Sequence, residues 1–238
     1  MIIDTAMVMA AGLGTRMRPL TANKPKPLVE VAGKPLLGYA LDALRKAGVS
    51  RAVINVHYLP EQVESYLAEY ATDLDIHISD ERSQLMETGG GLVHALPLLG
   101  DGPFFCVNSD AIWTDGKVDA LTRLTFAWDD KSMDGLLLLV PRERAFQHNG
   151  KGDFSLDEEG RPVRRGEAAT APYVYTGIQL LSPRFLAGAP SGPFSTNILW
   201  DRAIAYGRLF GLEHQGDWYD IGSPQAIAPT EAALLGHG

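Results

Sequence analysis

Short apolar strands and amphipathic helices alternate from residue 6 to residue 140, and this alternation limits the possible folds more than any other feature of the chain. Ala6–Ala10 reads as a strand and Leu36–Ala47 as a helix, with Gly48 placed to end it. Ala52–Val56 is a β-branched strand, and Pro60–Ala71 has helical periodicity, with Val63 and Leu67 four apart. Leu74–Ser79 reads as a strand, Thr88–Leu99 as a helix, Phe104–Val107 as a strand, Leu121–Trp128 as a helix and Gly135–Val140 as a wholly apolar strand. Consecutive parallel strands need right-handed crossovers, and these lay helices on both faces of a sheet. The expected class is therefore α/β: a Rossmann-like, three-layer α/β/α arrangement with a mostly parallel central sheet.

The pattern changes after residue 141. Residues 141–172 are rich in charge, Gly and Pro; Tyr173–Leu181 is then a strand, Thr196–Gly207 a helix and Leu209–His214 a strand. This section reads as a small insertion that covers the sheet edge and forms an acceptor-side pocket, not as a separate domain. The whole chain, 1–238, is expected to be one domain: a nucleotide-binding half to about 140, a lid portion over about 141–215, and a last segment with a helix over about 216–238.

Composition narrows the function. The formal charge of −8 on 238 residues argues against general nucleic-acid binding. The N-terminal apolar run is short and stops at Gly12, so neither a signal peptide nor a membrane span is expected, and the expected compartment is the cytoplasm. The one cysteine, Cys106, lies in an apolar run and reads as a buried, inert thiol. No feature fixes the oligomeric state; a monomer is compatible with the length.

Against this acidic background stands a local basic loop. Residues 8–28 read VMAAGLGTRMRPLTANKPKPL: a strand, then Ala10, Ala11, Gly12, Leu13, Gly14 and Thr15, then Arg16, Arg18, Lys24 and Lys26. Glycines after a strand let backbone N–H groups approach a polyanion, and the cations offset its charge. A dinucleotide fingerprint would need a third glycine where Met17 stands, and no P-loop run occurs in the chain. A carboxylate-bearing strand end is VNSD, which delivers Asp110 to the same sheet edge; a second acidic position, Asp220, lies in WYDIGSP. Mg²⁺ is usually held by one or two carboxylates together with substrate phosphates. Each Asp has a plainer reading: a cap for the next helix, or an Asx turn.

The composite G-x-G-T-R-x-x-P-L-T and P-K-P-L pattern, with the VNSD and W-Y-D-I-G segments, resembles the sugar-1-phosphate nucleotidyltransferases. The resemblance implies their fold, a nucleoside triphosphate and a sugar 1-phosphate as substrates, and Mg²⁺ held by Asp110 and Asp220. It further implies Arg16 on the β- and γ-phosphates and Lys26 between the α-phosphate and the sugar phosphate. Many members have L-G-T-A where this chain has Met86, Glu87, Thr88 and Gly89, with the base read by that loop; three glycines at 89–91 are expected to leave backbone donors free for a base. The E-T-G-G-G form, with VNSD and KGDF, is most similar to the branch that transfers uridylyl groups to N-acetylmuramate 1-phosphate in cell-wall recycling. Mannose-1-phosphate guanylyl transfer and glucose-1-phosphate nucleotidyl transfer are the neighbouring alternatives, and a non-catalytic sugar-nucleotide-binding regulator is the alternative outside catalysis.

Candidate sugar contacts are Asn108, Gly152, Asp153, Thr176, Gly177 and Asn197. Thr176 and Gly177 have the rival reading of a buried strand with a bend, and Asn197 that of a helix cap. The family's Glu-Lys pair is replaced here by RPVRRGE, so Arg164, Arg165 or Glu167 are the candidates for the sugar phosphate. His57, after INV, is a candidate near the sugar site with a satisfied surface histidine as its rival reading; His77, His94 and His148 have no metal-ligand spacing, and the tryptophans read as packing residues.

Overall fold

The innermost strand, β1 (Thr5–Met9), alternates in which layer it faces: Ala6 and Val8 join one hydrophobic cluster and Met7 the other. That period of two is what a strand covered on both sides requires. The computed structural model describes residues 2–236, so Met1 and the last two residues of the expected 216–238 segment lie outside the described residues. The further strands are β2 (Glu30–Val31), β3 (Lys34–Pro35), β4 (Arg51–Val56), β5 (Asp75–Asp80), β6 (Phe104–Asn108), β7 (Ala111–Trp113), β8 (Gly135–Pro141), β9 (Ala145–Phe146), β10 (Phe154–Leu156), β11 (Pro162–Arg164), β12 (Tyr173–Leu181), β13 (Leu209–Glu213) and β14 (Trp218–Asp220). The helices are α1 (Leu36–Lys46), α2 (Pro60–Tyr70), α3 (Glu87–Leu99), α4 (Ala120–Ala127), α5 (Asn197–Ala205) and α6 (Ile227–Gly236).

The central sheet runs β11-β10-β12-β6-β1-β4-β5, and β8 and β13 extend it from the other side of β12. β6, β1, β4 and β5 are mutually parallel. β12 is antiparallel to β6, β8 and β10, so it opposes the common direction from within the sheet. Leu37, Leu41, Val63, Leu67, Leu121 and Leu124 from α1, α2 and α4 cover one face. Leu92, Leu99, Leu199 and Trp200 from α3 and α5 cover the other, giving the expected three layers.

The connection order locates the site. Through α1 and α2 the chain steps outward from β1 to β4 to β5; α3 then returns it across the opposite face to β6, on β1's other side. Strand order thus reverses between β1 and β6. A cleft opens outside the carboxyl ends of strands at such a reversal, and here those ends carry Ala10–Gly12 and Asn108–Asp110.

Every expected element end to residue 140 lies within one residue of the observed one. Beyond it, β12 matches the expected strand, whereas the short β9, β10, β11 and β14, like β2, β3 and β7 before residue 140, have no periodicity long enough to read. A small separate cluster of Met17, Val29, Leu36, Ile112, Tyr219 and Ile221 ties the basic loop to β7 and β14.

Candidate active site

The phosphate-type loop is fixed by contacts that its sequence requires. Gly14 has φ +62°, and a Cβ there would come within 2.9 Å of the Lys26 Cβ. Thr21 Oγ1 donates to the Gly14 carbonyl at 2.8 Å. The loop therefore folds back on Lys26, and only glycine permits that approach. Beyond it, Thr15–Met17 forms a 3-10 turn that buries Met17 and leaves Arg16 exposed. Arg16 Nη1 lies 3.6 Å from where a Gly222 Cβ would stand, which brings it to the Asp220–Gly222 loop.

Ala10, Ala11, Gly12, Lys26, Glu87, Thr88, Asn108 and Asp110 all line one cavity of about 220 Å³ at the β1/β6 reversal. Lys26 Nζ donates to Asp110 Oδ2 at 2.8 Å, with the lysine side chain only 12% exposed. A cation and a carboxylate 84 residues apart in sequence thus meet in the cavity wall. Asp220 reaches the neighbourhood by pairing: β14 runs antiparallel to β7, Asp220 stands opposite Ala111, and the Ile221 N–H points to the Asp110 carbonyl at 3.3 Å. Lys24, by contrast, pairs with exposed Glu30 at 3.4 Å.

A second cavity of about 210 Å³ shares Met9, Thr88 and Asn108 with the first and continues to Tyr175, Gln179, Asn197 and Trp200. The Tyr175 and Trp200 rings meet edge to face at 4.7 Å, and Trp200 Nε1 donates to Gln179 Oε1 at 3.0 Å. Burial is the main cause that raises the Tyr175 pKa, and the nearby Cys106 and Asp110 add to it. Cys106 is 1% exposed, and burial pushes its thiol up to about 12, as an inert packing thiol should behave.

Other expected residues sit further back. Leu13, Gly14 and Thr15 complete the loop without lining either cavity. Thr176 is fully buried, its hydroxyl donating to the Leu138 carbonyl, and Gly177 takes φ +82° at the β12 irregularity against the Asn108 side chain. Neither lines the cavities; Gly177 makes room for the Asn108 side chain, and Thr176 ties β12 to β8. Gly152 lets chain approach chain: a Cβ there would meet the Ala171 carbonyl at 2.1 Å. Asp153 accepts the Tyr175 N–H at 2.9 Å and so joins β10 to β12. Asn197 opens α5, donates to Ser195 Oγ, and lines the second cavity. Arg164 is engaged with Asp201 at 2.8 Å, and Arg165 spends its guanidinium on the carbonyls of Gly152, Gly166 and Ala168.

The expectation of free donors at 89–91 is corrected. These glycines lie inside α3, and Gly89 and Gly90 both donate to the Phe194 carbonyl, at 2.8 and 3.1 Å. A Cβ on Gly89 would stand 2.3 Å from the Phe194 ring, and one on Gly90 2.5 Å from the Gly192 carbonyl. Gly89 and Gly90 seat the 192–196 segment, and Gly91 lies against Glu81 and Asn55. Glu87 instead presents a side chain from φ +58°, a conformation costing a β-carbon residue about 1 kcal/mol.

Sequence reasoning missed several site residues. Asn55 is a buried polar residue at the end of an apolar strand, a signal present in RAVINV. Glu81 follows directly on β5 and is 1% exposed. His148 lies 3.3 Å from Asp220 Oδ2 and edge-on to Trp218, for which no local pattern gives notice.

Residues 5–235 match the family model described as nucleotidyl transferase. The chain belongs to that family. It is 46% identical to the N-acetylmuramate alpha-1-phosphate uridylyltransferase of Caulobacter vibrioides over 232 residues, 96% of each chain. It is 38% identical to the protein of the same name from Neisseria meningitidis serogroup B, covering 95% of this chain and 96% of that one. Among solved structures, the fold matches UDP-glucose pyrophosphorylase complexed with UDP-glucose, with TM-score 0.82, 18% identity, and 99% and 100% of the two chains covered. The chain is thus a nucleotidyltransferase, and its three-layer sheet is that fold.

Proposed function

We propose that the protein transfers a uridylyl group from UTP to N-acetylmuramate 1-phosphate, giving the UDP-sugar and pyrophosphate, as a cytoplasmic step in cell-wall recycling. The observation that carries nucleotidyl transfer here is the Lys26–Asp110 contact of 2.8 Å inside a cavity walled by the glycine loop. The uridylyl and muramate assignment rests on similarity to the two uridylyltransferases.

In this reading the half up to about residue 140 holds the nucleotide and the 141–215 portion supplies the acceptor wall. The backbone of Ala10–Thr15 receives the triphosphate. Arg16, exposed and beside the Gly222 loop, neutralises charge on the departing pyrophosphate. An oxygen of the sugar phosphate attacks the α-phosphorus, and the bond to the pyrophosphate oxygen breaks. Lys26 lies where two like-charged phosphates must approach, and offsetting their repulsion is the main electrostatic task of such a transfer. The second cavity takes the sugar, with Asn108 and Asn197 as hydroxyl and amide partners and the Trp200 edge as an apolar wall.

The residues fit Mg²⁺. Among the described residues no group of three or more His, Cys, Asp or Glu is disposed to hold a metal, which disfavours a closed protein site. Asp110 and Asp220, one carboxylate from each of two adjoining strand ends, suit an ion that takes its other ligands from phosphates and water. Bound there, Mg²⁺ would neutralise phosphate charge.

The test is pyrophosphate release with Mg²⁺, crossing UTP, GTP, CTP, ATP and dTTP against N-acetylmuramate, mannose and glucose 1-phosphates. Release with UTP and the muramate phosphate, well above every other pair, is expected. Preference for GTP and mannose 1-phosphate would replace this assignment, and silence with a folded, nucleotide-binding protein would favour a regulator.

A further inference from the structure

Arg16, Lys26, Asp110 and Asp220 are all flanked by one small hydrophobic cluster. Met17 follows Arg16, Val29 follows the 3-10 turn that Lys26 opens, Ile112 stands on β7 beyond Asp110, and Ile221 follows Asp220. Ala226, Ile227 and Leu234 close the same cluster from α6 and the turn before it. Close-packed interiors transmit displacement, so these side chains hold the surrounding backbone in register.

α6 also reaches the hairpin of β2 and β3. Glu231 Oε1 accepts the Ala32 N–H at 2.8 Å. Ala32 turns the hairpin at φ +51°, next to Gly33 at φ +74°. That conformation is disfavoured for a residue with a Cβ and persists only where the surroundings hold it. On the strand side of the turn, the Tyr39 hydroxyl donates to the Val31 carbonyl at 2.8 Å. Burial is the main cause that raises the Tyr39 pKa, and the Glu231 charge adds to it, which keeps the phenol a donor. Val31 is fully buried, and the Val29 N–H donates to the Lys26 carbonyl at 3.0 Å.

The chain thereby closes a ring around the site. From Asp220 it runs through Ile221 and the Pro224–Ala226 turn into α6. One hydrogen bond carries the path from Glu231 to Ala32, and β2 leads back to Lys26, which meets Asp110. We infer that Glu231 is a positioning residue: through Ala32 it fixes the backbone that places Lys26 between Asp110 and the Gly14 loop. The clearance there is small, since a Cβ on Gly14 would come within 2.9 Å of the Lys26 Cβ. Loosening the turn would let β2 drift and Lys26 with it, and a displacement of about 1 Å can cost roughly 10²-fold in rate. Glu231 lines neither cavity, so it acts on the chemistry through this backbone alone. The inference rests on the role of Lys26 in nucleotidyl transfer.

The experiment pairs amide hydrogen exchange, without substrate, with the kinetics of pyrophosphate release from UTP and N-acetylmuramate 1-phosphate. It compares the full-length parent with Glu231→Ala and Glu231→Gln. Ala32 is exposed, so protection of its amide in the parent reports the Glu231 bond; an unprotected amide overturns the inference with no variant needed. Glu231→Ala should speed exchange at Ala32 and along β2 by about 3- to 10-fold, the worth of one hydrogen bond. It should lower kcat by a similar factor and leave KM for either substrate within about twofold. Glu231→Gln keeps a carbonyl acceptor and should return both readings toward the parent. A merely structural tie would speed exchange and leave kcat unchanged, which overturns the inference. Equal losses in both variants, or a rise in KM with kcat intact, overturn it too. Inactivity of the parent with every nucleotide and sugar phosphate would overturn the nucleotidyl-transfer reading instead; the exchange arm would still decide whether Glu231 holds the hairpin.

Discussion

The two sides of the central sheet are built on different principles. β1, β4, β5 and β6 are mutually parallel, both faces of the sheet they form are covered, and a helix connects each to the next. From β8 onward the chain pairs antiparallel through β12 and uses strands of two or three residues at β9, β10, β11 and β14. The first side presents the phosphate-type loop and the Lys26–Asp110 pair in a cavity wall; the second presents a cavity edged by Tyr175, Trp200 and Asn197. A parallel α/β half is specified by local periodicity, whereas the second half is specified by which distant segments it meets.

The largest test of this division is Lys26→Ala. Because Lys26 lies in the wall of the first cavity beside Asp110, its loss should lower turnover by roughly 10²–10³-fold or more with any acceptor. Circular dichroism should remain that of the parent. Near-parental turnover would remove Lys26 from the chemistry and break the comparison at its strongest point. Asp110→Asn should raise the Mg²⁺ concentration needed for half-maximal rate and lower the rate reached; a titration like the parent's would show that Asp110 holds no metal.

His148 tests the seam between the halves. It comes from the lid portion yet touches Asp220 Oδ2 at 3.3 Å. If it orients that carboxylate for a metal, His148→Ala should cost about 10- to 100-fold in apparent Mg²⁺ affinity. Unchanged Mg²⁺ dependence would confine His148 to packing against Trp218. On the acceptor side, Asn197→Ala should raise KM for the sugar phosphate by about tenfold, the worth of one hydrogen bond. KM for the nucleotide should stay as it was. A matching rise in both would show that the second cavity is not acceptor-specific.

How much of this was legible follows the same division. Ala10–Gly12 and Asp110 were readable because they follow closely on the apolar strands β1 and β6, and a strand's end fixes where the next residues go; Arg16 and Lys26, further along the loop, were readable only from the composite motif. Asp220 was readable from its motif, but its nearness to Asp110 depends on β14 pairing with β7, strands too short to register as alternation. The glycines 89–91 read locally as open backbone; the reason for Gly89 and Gly90 is the segment at Gly192–Phe194, more than 100 residues later, and no local pattern carries that information. Gly89→Ala checks it. Alanine favours a helix over glycine by about 1 kcal/mol, yet the Phe194 ring fills the space, so a net loss of about 1–3 kcal/mol by urea unfolding is expected. A stabilised variant would restore the reading of an open helix start.

The smallest expected effect concerns pH, and it sits where the two halves join. His214 is 1% exposed at the end of β13, just before β14 carries the chain to Asp220. Burial is the main cause lowering its pKa from 6.5, with Arg144 adding to it; Asp115 and the backbone of Asp217 and Thr114 oppose it. The fold therefore prefers the neutral ring, while the unfolded chain takes up a proton as pH drops below about 6.5. Below that value the unfolded state binds more protons, so the stability His214 contributes is present above pH 6.5 and is lost as pH falls through the lowered folded value. Thermal unfolding followed from pH 8 to pH 5 should show a steeper decline for the parent than for His214→Gln, whatever their difference at pH 8. Parallel curves would mean that His214 is titrated alike in both states. The junction would then carry no acid sensitivity from this ring, and the acceptor half would owe its acid stability to its carboxylate pairs.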